Sequence, residues 1–157
     1  MKKTQIRPKT HVPYARAKSG DRARADIIAL LKKFGCESVG IMDDFAENSV
    51  VVAFKHRGRP VQLRASAKGW AQLYLQANPR PPGRQTERDY RAAVLAQGHI
   101  AVNSILRDWI KGQLTAVECG LMSFEAVFLP YMLTSDGRPL IERVEEAKLL
   151  PPPSSES

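Results

Sequence analysis

The stretch Ser49-Val50-Val51-Val52-Ala53-Phe54-Lys55-His56-Arg57-Gly58-Arg59-Pro60-Val61-Gln62-Leu63-Arg64-Ala65 decides the fold. Two extended runs, the first rich in β-branched residues, flank Arg57-Gly58, where glycine can take the positive φ of a tight turn. A two-residue loop there pairs Phe54 with Val61, Val52 with Leu63 and Val50 with Ala65. All six are apolar, so they define a core face. The other face pairs Lys55 with Pro60, Ala53 with Gln62 and Val51 with Arg64. A slip of one residue would mix the two sets, so burial selects this register. Arginine in place of Asn or Asp at the first turn position is the one departure from the favoured hairpin chemistry.

Upstream, Cys36–Met42 reads as a third strand with Val39 and Ile41 alternating, and residues 43–48 read as a turn. Before it, a helix is predicted from Asp21 to Phe34. Its stripe is Ile27, Leu30, Leu31 and Phe34, its cap is Ser19 or Asp21, and Gly35 ends it. Downstream, Ser66 caps a short helix to Ala77 with Trp70, Leu73 and Tyr74 on one face, and Asn78–Gly83 is a loop. A long helix opens at Thr86, with Asp89 three residues on, and runs to about Cys119 before Gly120. Val94, Ala101, Ile105, Trp109, Leu114 and Val117 are its predicted core stripe, and Gly98 and Gly112 bend it or permit close packing. Ser123 caps a further helix bearing Phe124, Val127, Phe128 and Tyr131, with a kink expected at Pro130. Leu140–Lys148 is a last short helix. The expected class is therefore α+β: an N-terminal helix, a three-stranded antiparallel sheet, then a C-terminal helical part with one long helix. Residues 1–20 read as a flexible basic arm, 21–150 as a single domain and 151–157 as a disordered tail. The 157 residues are enough for one core without staples.

The run Ile110-Lys111-Gly112-Gln113-Leu114-Thr115-Ala116-Val117-Glu118-Cys119-Gly120-Leu121, followed by Ser123-Phe124-Glu125, Phe128-Leu129 and Asp136-Gly137-Arg138, resembles the core signature of a family of small proteins from tailed bacteriophages and prophages. The order and spacing of Ala23-Arg24, Leu30-Leu31, Phe34-Gly35, Val52, Phe54, Gly58-Arg59 and Val61 are similar too, as is the ending Leu149-Leu150-Pro151. The resemblance implies a phage or prophage origin. It carries no activity and no site residues.

Net charge is +8, and its distribution is uneven. Residues 1–24 carry +7, 25–54 carry −3, 55–91 carry +7, 92–117 carry +1 and 118–157 carry −4. Basic blocks attract phosphate backbones. The expected function is therefore a nucleic-acid-binding accessory protein of a phage or prophage in replication, recombination or regulation, with DNA favoured over RNA. The expected site is the hairpin and the residues just downstream: Lys55, Arg57, Arg59, Arg64, Lys68 and Arg84 on phosphates, with Gly58 letting backbone approach. Trp70 and Tyr74 would stack on unpaired bases; the plainer reading makes them core residues of an amphipathic helix. The basic arm, with Lys2, Lys3, Arg7, Lys9, Arg16 and Lys18, would extend the footprint. The alternative is a protein–protein interaction module, engaging a host or phage protein or assembling with itself, because the acidic C-terminal third could pair with the basic first half.

Catalytic and cofactor motifs are missing from the sequence. Cys36, Cys119, His56 and His99 show no metal-ligand spacing, and Asp43, Asp44 and Glu47 lack the glycine and late glutamate of a calcium loop. There is no nucleophile elbow, phosphate-binding glycine loop or dinucleotide fingerprint. No enzymatic activity, cofactor or metal is expected. Both cysteines read as buried free thiols. No apolar run long enough for a leader or a membrane span stands out, so a cytoplasmic location in a bacterial host is expected.

Overall fold

A computed structural model describes residues 11–83 and 85–155. Its elements are α1 (Gly20–Phe34), β1 (Ser38–Asp44), β2 (Ser49–His56), β3 (Arg59–Ser66), α2 (Ala67–Ala77), α3 (Glu87–Glu118), α4 (Phe124–Phe128), a 3-10 turn (Leu129–Tyr131) and α5 (Leu140–Glu146). The fold is α+β, with an antiparallel sheet in the order β1-β2-β3.

The hairpin register is the one burial selects: Phe54 opposite Val61, Val52 opposite Leu63 and Val50 opposite Ala65. Arg57 and Gly58 both take positive φ, 49° and 77°, the backbone that matches the right-handed twist of paired strands. Val50, Val52, Phe54, Val61 and Leu63 bury against the helices, while Gly40, Met42, Ala53 and Lys55 stay exposed on the opposite face. Val51 lies on that outer face yet is buried, flanked in register by the long side chains of Met42 and Arg64.

Helix α1 sends Ala23, Ile27 and Leu31 into the core, is capped by Ser19 and ends on Gly35 at φ 102°. It packs along α3, whose 32 residues span about 48 Å and which also carries α2. The buried stripe of α3 includes Tyr90, Val94, Gly98, Ala101, Leu106, Ile110 and Leu114; Ile105, Trp109 and Val117 are only half-buried. The helix meets α1, α2, the sheet and α4 in turn, so one stripe of constant phase does not describe it. Arg24 ties three elements together. Its Nε donates to Asn103 Oδ1 at 2.9 Å and its Nη2 to Asp43 Oδ1 at 2.5 Å, joining α1, α3 and β1.

Several expectations are corrected. The first strand lies two residues later than predicted, because Asp43 and Asp44 remain paired with Val50 and Ser49. Leu73 points outward, 52% exposed, while Ala67 and Ala71 join Trp70 and Tyr74 in the core. Around Pro130 the helix does not continue with a kink but gives way to the 3-10 turn. Helix α5 stops at Glu146, short of Lys148. Cys119 is exposed at the end of α3; Cys36 is half-buried, and burial pushes its thiol up to about 11.

The largest correction concerns the arm. Residues 1–10 lie outside the described part, but 11–19 are folded onto the domain. Val12 and Ala15 are buried. Trp70 Nε1 donates to Pro13 O at 3.0 Å, Gln97 Nε2 to Ala17 O at 2.9 Å and the Tyr14 hydroxyl to Asp108 Oδ2 at 2.6 Å. A single turn with two small apolar residues leaves no periodicity to read, which is why it looks like an arm. At the other end, Pro151–Ser155 is exposed and without regular structure.

Candidate anion-binding surface

The hairpin does not hold its cations together as an open patch. Arg64 Nη1 lies 2.8 Å from Asp44 Oδ2, and that bond holds the Asp44 carboxyl below the usual carboxylate range. Arg59 Nη1 is 3.9 Å from Glu125 Oε1. The Gly58 amide, expected to meet a phosphate, donates instead to Glu37 Oε1 at 2.8 Å. Arg57 and Lys55 are exposed at the tip and on the outer face. Lys68 comes after the far end of β3, a strand of 8 residues or about 24 Å away from the tip. Trp70 and Tyr74 are 7% and 0% exposed and stack on each other at 5.3 Å, so neither offers a face to a base. Burial pushes the Tyr74 hydroxyl up to about 12. Arg84 lies outside the described residues. Downstream, Arg80 and Arg91 both bond Glu87, at 3.1 and 3.0 Å. Four cations of the second basic block, Arg59, Arg64, Arg80 and Arg91, are thus paired with carboxylates, and Lys55, Arg57, Lys68 and Arg88 are spread over the hairpin, the start of α2 and the start of α3.

The positive charge converges elsewhere. An open concavity of about 450 Å³ lies between the 11–19 segment, the first turn of α1 and the middle of α3. Arg16, Lys18, Arg22 and Arg107 line it, with His11 and Tyr14 on the wall, and no acidic side chain lines it among the described residues. Local chemistry explains the placement. Ser19 accepts from the Arg22 amide and starts α1, which turns Arg22 toward the segment before it and adds the positive end of the helix dipole. Val12 and Ala15 are drawn into the core, so Tyr14 and Arg16, between and beside them, are left outward.

Arg107 is already paired with carboxylates. Its Nε lies 2.9 Å from Asp108 Oδ1 and its Nη1 3.7 Å from Asp26 Oδ2. Bonds from Arg107 and then Tyr14 hold the Asp108 carboxyl below the carboxylate range, and the bond to Asp108 raises the Tyr14 hydroxyl in turn. A second concavity, about 350 Å³, has a different balance. Arg64 and Arg138 line it, but Arg64 bonds Asp44, Arg138 bonds Glu146 and Asp136, and Glu142 stands in the wall.

Arg16 and Lys18 are legible in the sequence as part of a basic block. Arg22 belongs to the same 1–24 block and stands three residues past the Ser19 cap, whereas Tyr14 and Arg107 carry almost no such signal. No protein-family model, curated protein or solved structure matches the chain.

Proposed function

We propose that this protein binds nucleic acid through its phosphates, as a non-catalytic accessory protein of a phage or prophage in its bacterial host, with the concavity lined by Arg16, Lys18, Arg22 and Arg107 as the contact surface. The observation that supports it is the convergence on one open surface of Arg16, Lys18 and Arg22, which have no carboxylate partner among the described residues, beside an Arg107 that is itself paired with Asp108 and Asp26. The chain leading into His11 adds Lys2, Lys3, Arg7 and Lys9 to the same end of the sequence. Phosphate contacts of this kind give affinity and salt sensitivity without choosing a base sequence. No helix among the described residues is long and apolar enough to cross a membrane.

The test is a titration with oligonucleotides at several salt concentrations. Arg16→Ala, Lys18→Ala and Arg22→Ala should each weaken binding and lower the slope of log affinity against log salt by about one, while Arg64→Ala and Lys68→Ala should change neither by much. Absence of binding at low salt, or loss of slope only with the hairpin variants, removes this reading. Partners recovered from nuclease-treated lysate that survive the substitutions in the concavity would favour a protein-interaction module instead.

A further inference from the structure

The walls of the concavity hold more than cations. Tyr14 stands there 36% exposed, with backbone φ at 63°, a region that bulky residues rarely occupy. Such a conformation is strained and persists only where the surroundings over-determine it. The neighbours of Tyr14 meet that condition. Val12 and Ala15 are buried on either side, Ala15 N donates to Val12 O at 3.1 Å, Ala17 N donates to Tyr14 O at 3.1 Å, and the phenol is fixed to Asp108. The result is an aromatic ring anchored at its polar end and partly open to solvent, beside four cations.

We infer that the concavity takes single-stranded rather than double-stranded nucleic acid, with an unpaired base stacked on Tyr14 and the adjoining phosphates on Arg16, Lys18, Arg22 and Arg107. This rests on the reading of the same surface as a phosphate-binding one. Stacking on aromatic rings tolerates every base, and an arginine-lined channel beside such rings tracks the backbone. In a duplex the base faces are already covered by their neighbours, so Tyr14 could gain nothing there. The volume, about 450 Å³, suits a nucleotide unit.

The experiment compares oligothymidylate and oligouridylate with a duplex of equal length, by anisotropy of labelled oligonucleotides at fixed salt. The full-length protein is measured beside Tyr14→Leu and Tyr14→Phe, with a thermal melt to check folding. The expected result is single-strand binding at least about tenfold tighter than duplex binding. Tyr14→Leu should lose about tenfold on the single strand and almost nothing on the duplex, and Tyr14→Phe, which keeps the ring, should stay within about threefold. Equal affinity for both forms, or a Tyr14→Phe that loses as much as Tyr14→Leu, overturns the inference and leaves the phosphate surface standing. Binding to neither form overturns both. A preference confined to one of the two single strands would support the inference and assign the site to DNA or RNA.

Discussion

His56 ends β2 on the core face, its ring 4.9 Å from Phe34 and 4.6 Å from Phe124. Its Nδ1 is buried and has no hydrogen-bond partner among the described residues. A buried polar atom left without a partner costs about 1–3 kcal/mol, whereas an apolar ring of similar shape carries no such penalty. His56→Phe should therefore raise stability by about 1 kcal/mol in urea unfolding; a loss would mean that the imidazole finds a partner in solution. This residue also marks a limit of sequence reading. At the end of a hairpin a histidine reads as a polar boundary residue, and nothing local announces that Phe34 and Phe124, distant in the chain, close around it. Trp70 and Tyr74 are the contrary case: their chemistry suits base stacking, but the amphipathic reading of α2 already makes them core, and both are buried.

At the scale of elements, α2 and α3 cross at Gly98, where an added Cβ would stand 2.8 Å from the Ala67 carbonyl oxygen and 3.3 Å from Trp70 Cε3. Alanine is the better helix former by about 1 kcal/mol, but a clash with backbone cannot be relieved by a rotamer change. Gly98→Ala should destabilise by about 1–3 kcal/mol overall and perturb Trp70; a gain in stability would show that the two helices can move apart. The hairpin offers the opposite case. Arg57 holds φ at 49°, a value that asparagine adopts more readily. Arg57→Asn should stabilise by up to about 1 kcal/mol and leave nucleic-acid affinity unchanged, because the proposed contact surface lies elsewhere. The hairpin is legible in the sequence because alternation and turn chemistry are local and agree with each other. So are the caps Ser19, Ser66, Thr86 and Ser123, each of which accepts from an amide three residues on. The candidate surface is not legible, because it joins a patternless turn at residues 11–19 to a side chain on α3, distant in the chain. In the basic block that reads as most promising, 55–91, Arg59, Arg64, Arg80 and Arg91 find carboxylates.

Across the whole molecule, five carboxyls of the described residues are held below their usual range, mostly by arginines. Asp44 is held low by Arg64, Glu87 by Arg91 and Arg80, Asp108 by Arg107 and Tyr14, and Glu146 by Arg138. Asp136 is lowered most, first by the Thr134 hydroxyl and then by Arg143 and Arg138. Each folded value lies below its unfolded one, so the stabilisation is complete above the unfolded carboxylate range, about pH 4, and is lost as pH falls through the lowered folded values. Melting temperature should hold between about pH 7 and 5 and drop steadily below about pH 4; a plateau down to about pH 3 would show that these exposed pairs are screened to nothing. The bond from Trp70 Nε1 to Pro13 O carries a last consequence. The indole that pins residues 11–19 is also a chromophore, so in a Trp109→Phe background its emission reports whether that segment is seated. A ligand that settles onto residues 11–19 should leave the emission maximum in place, and one that peels the segment away should shift it to longer wavelength.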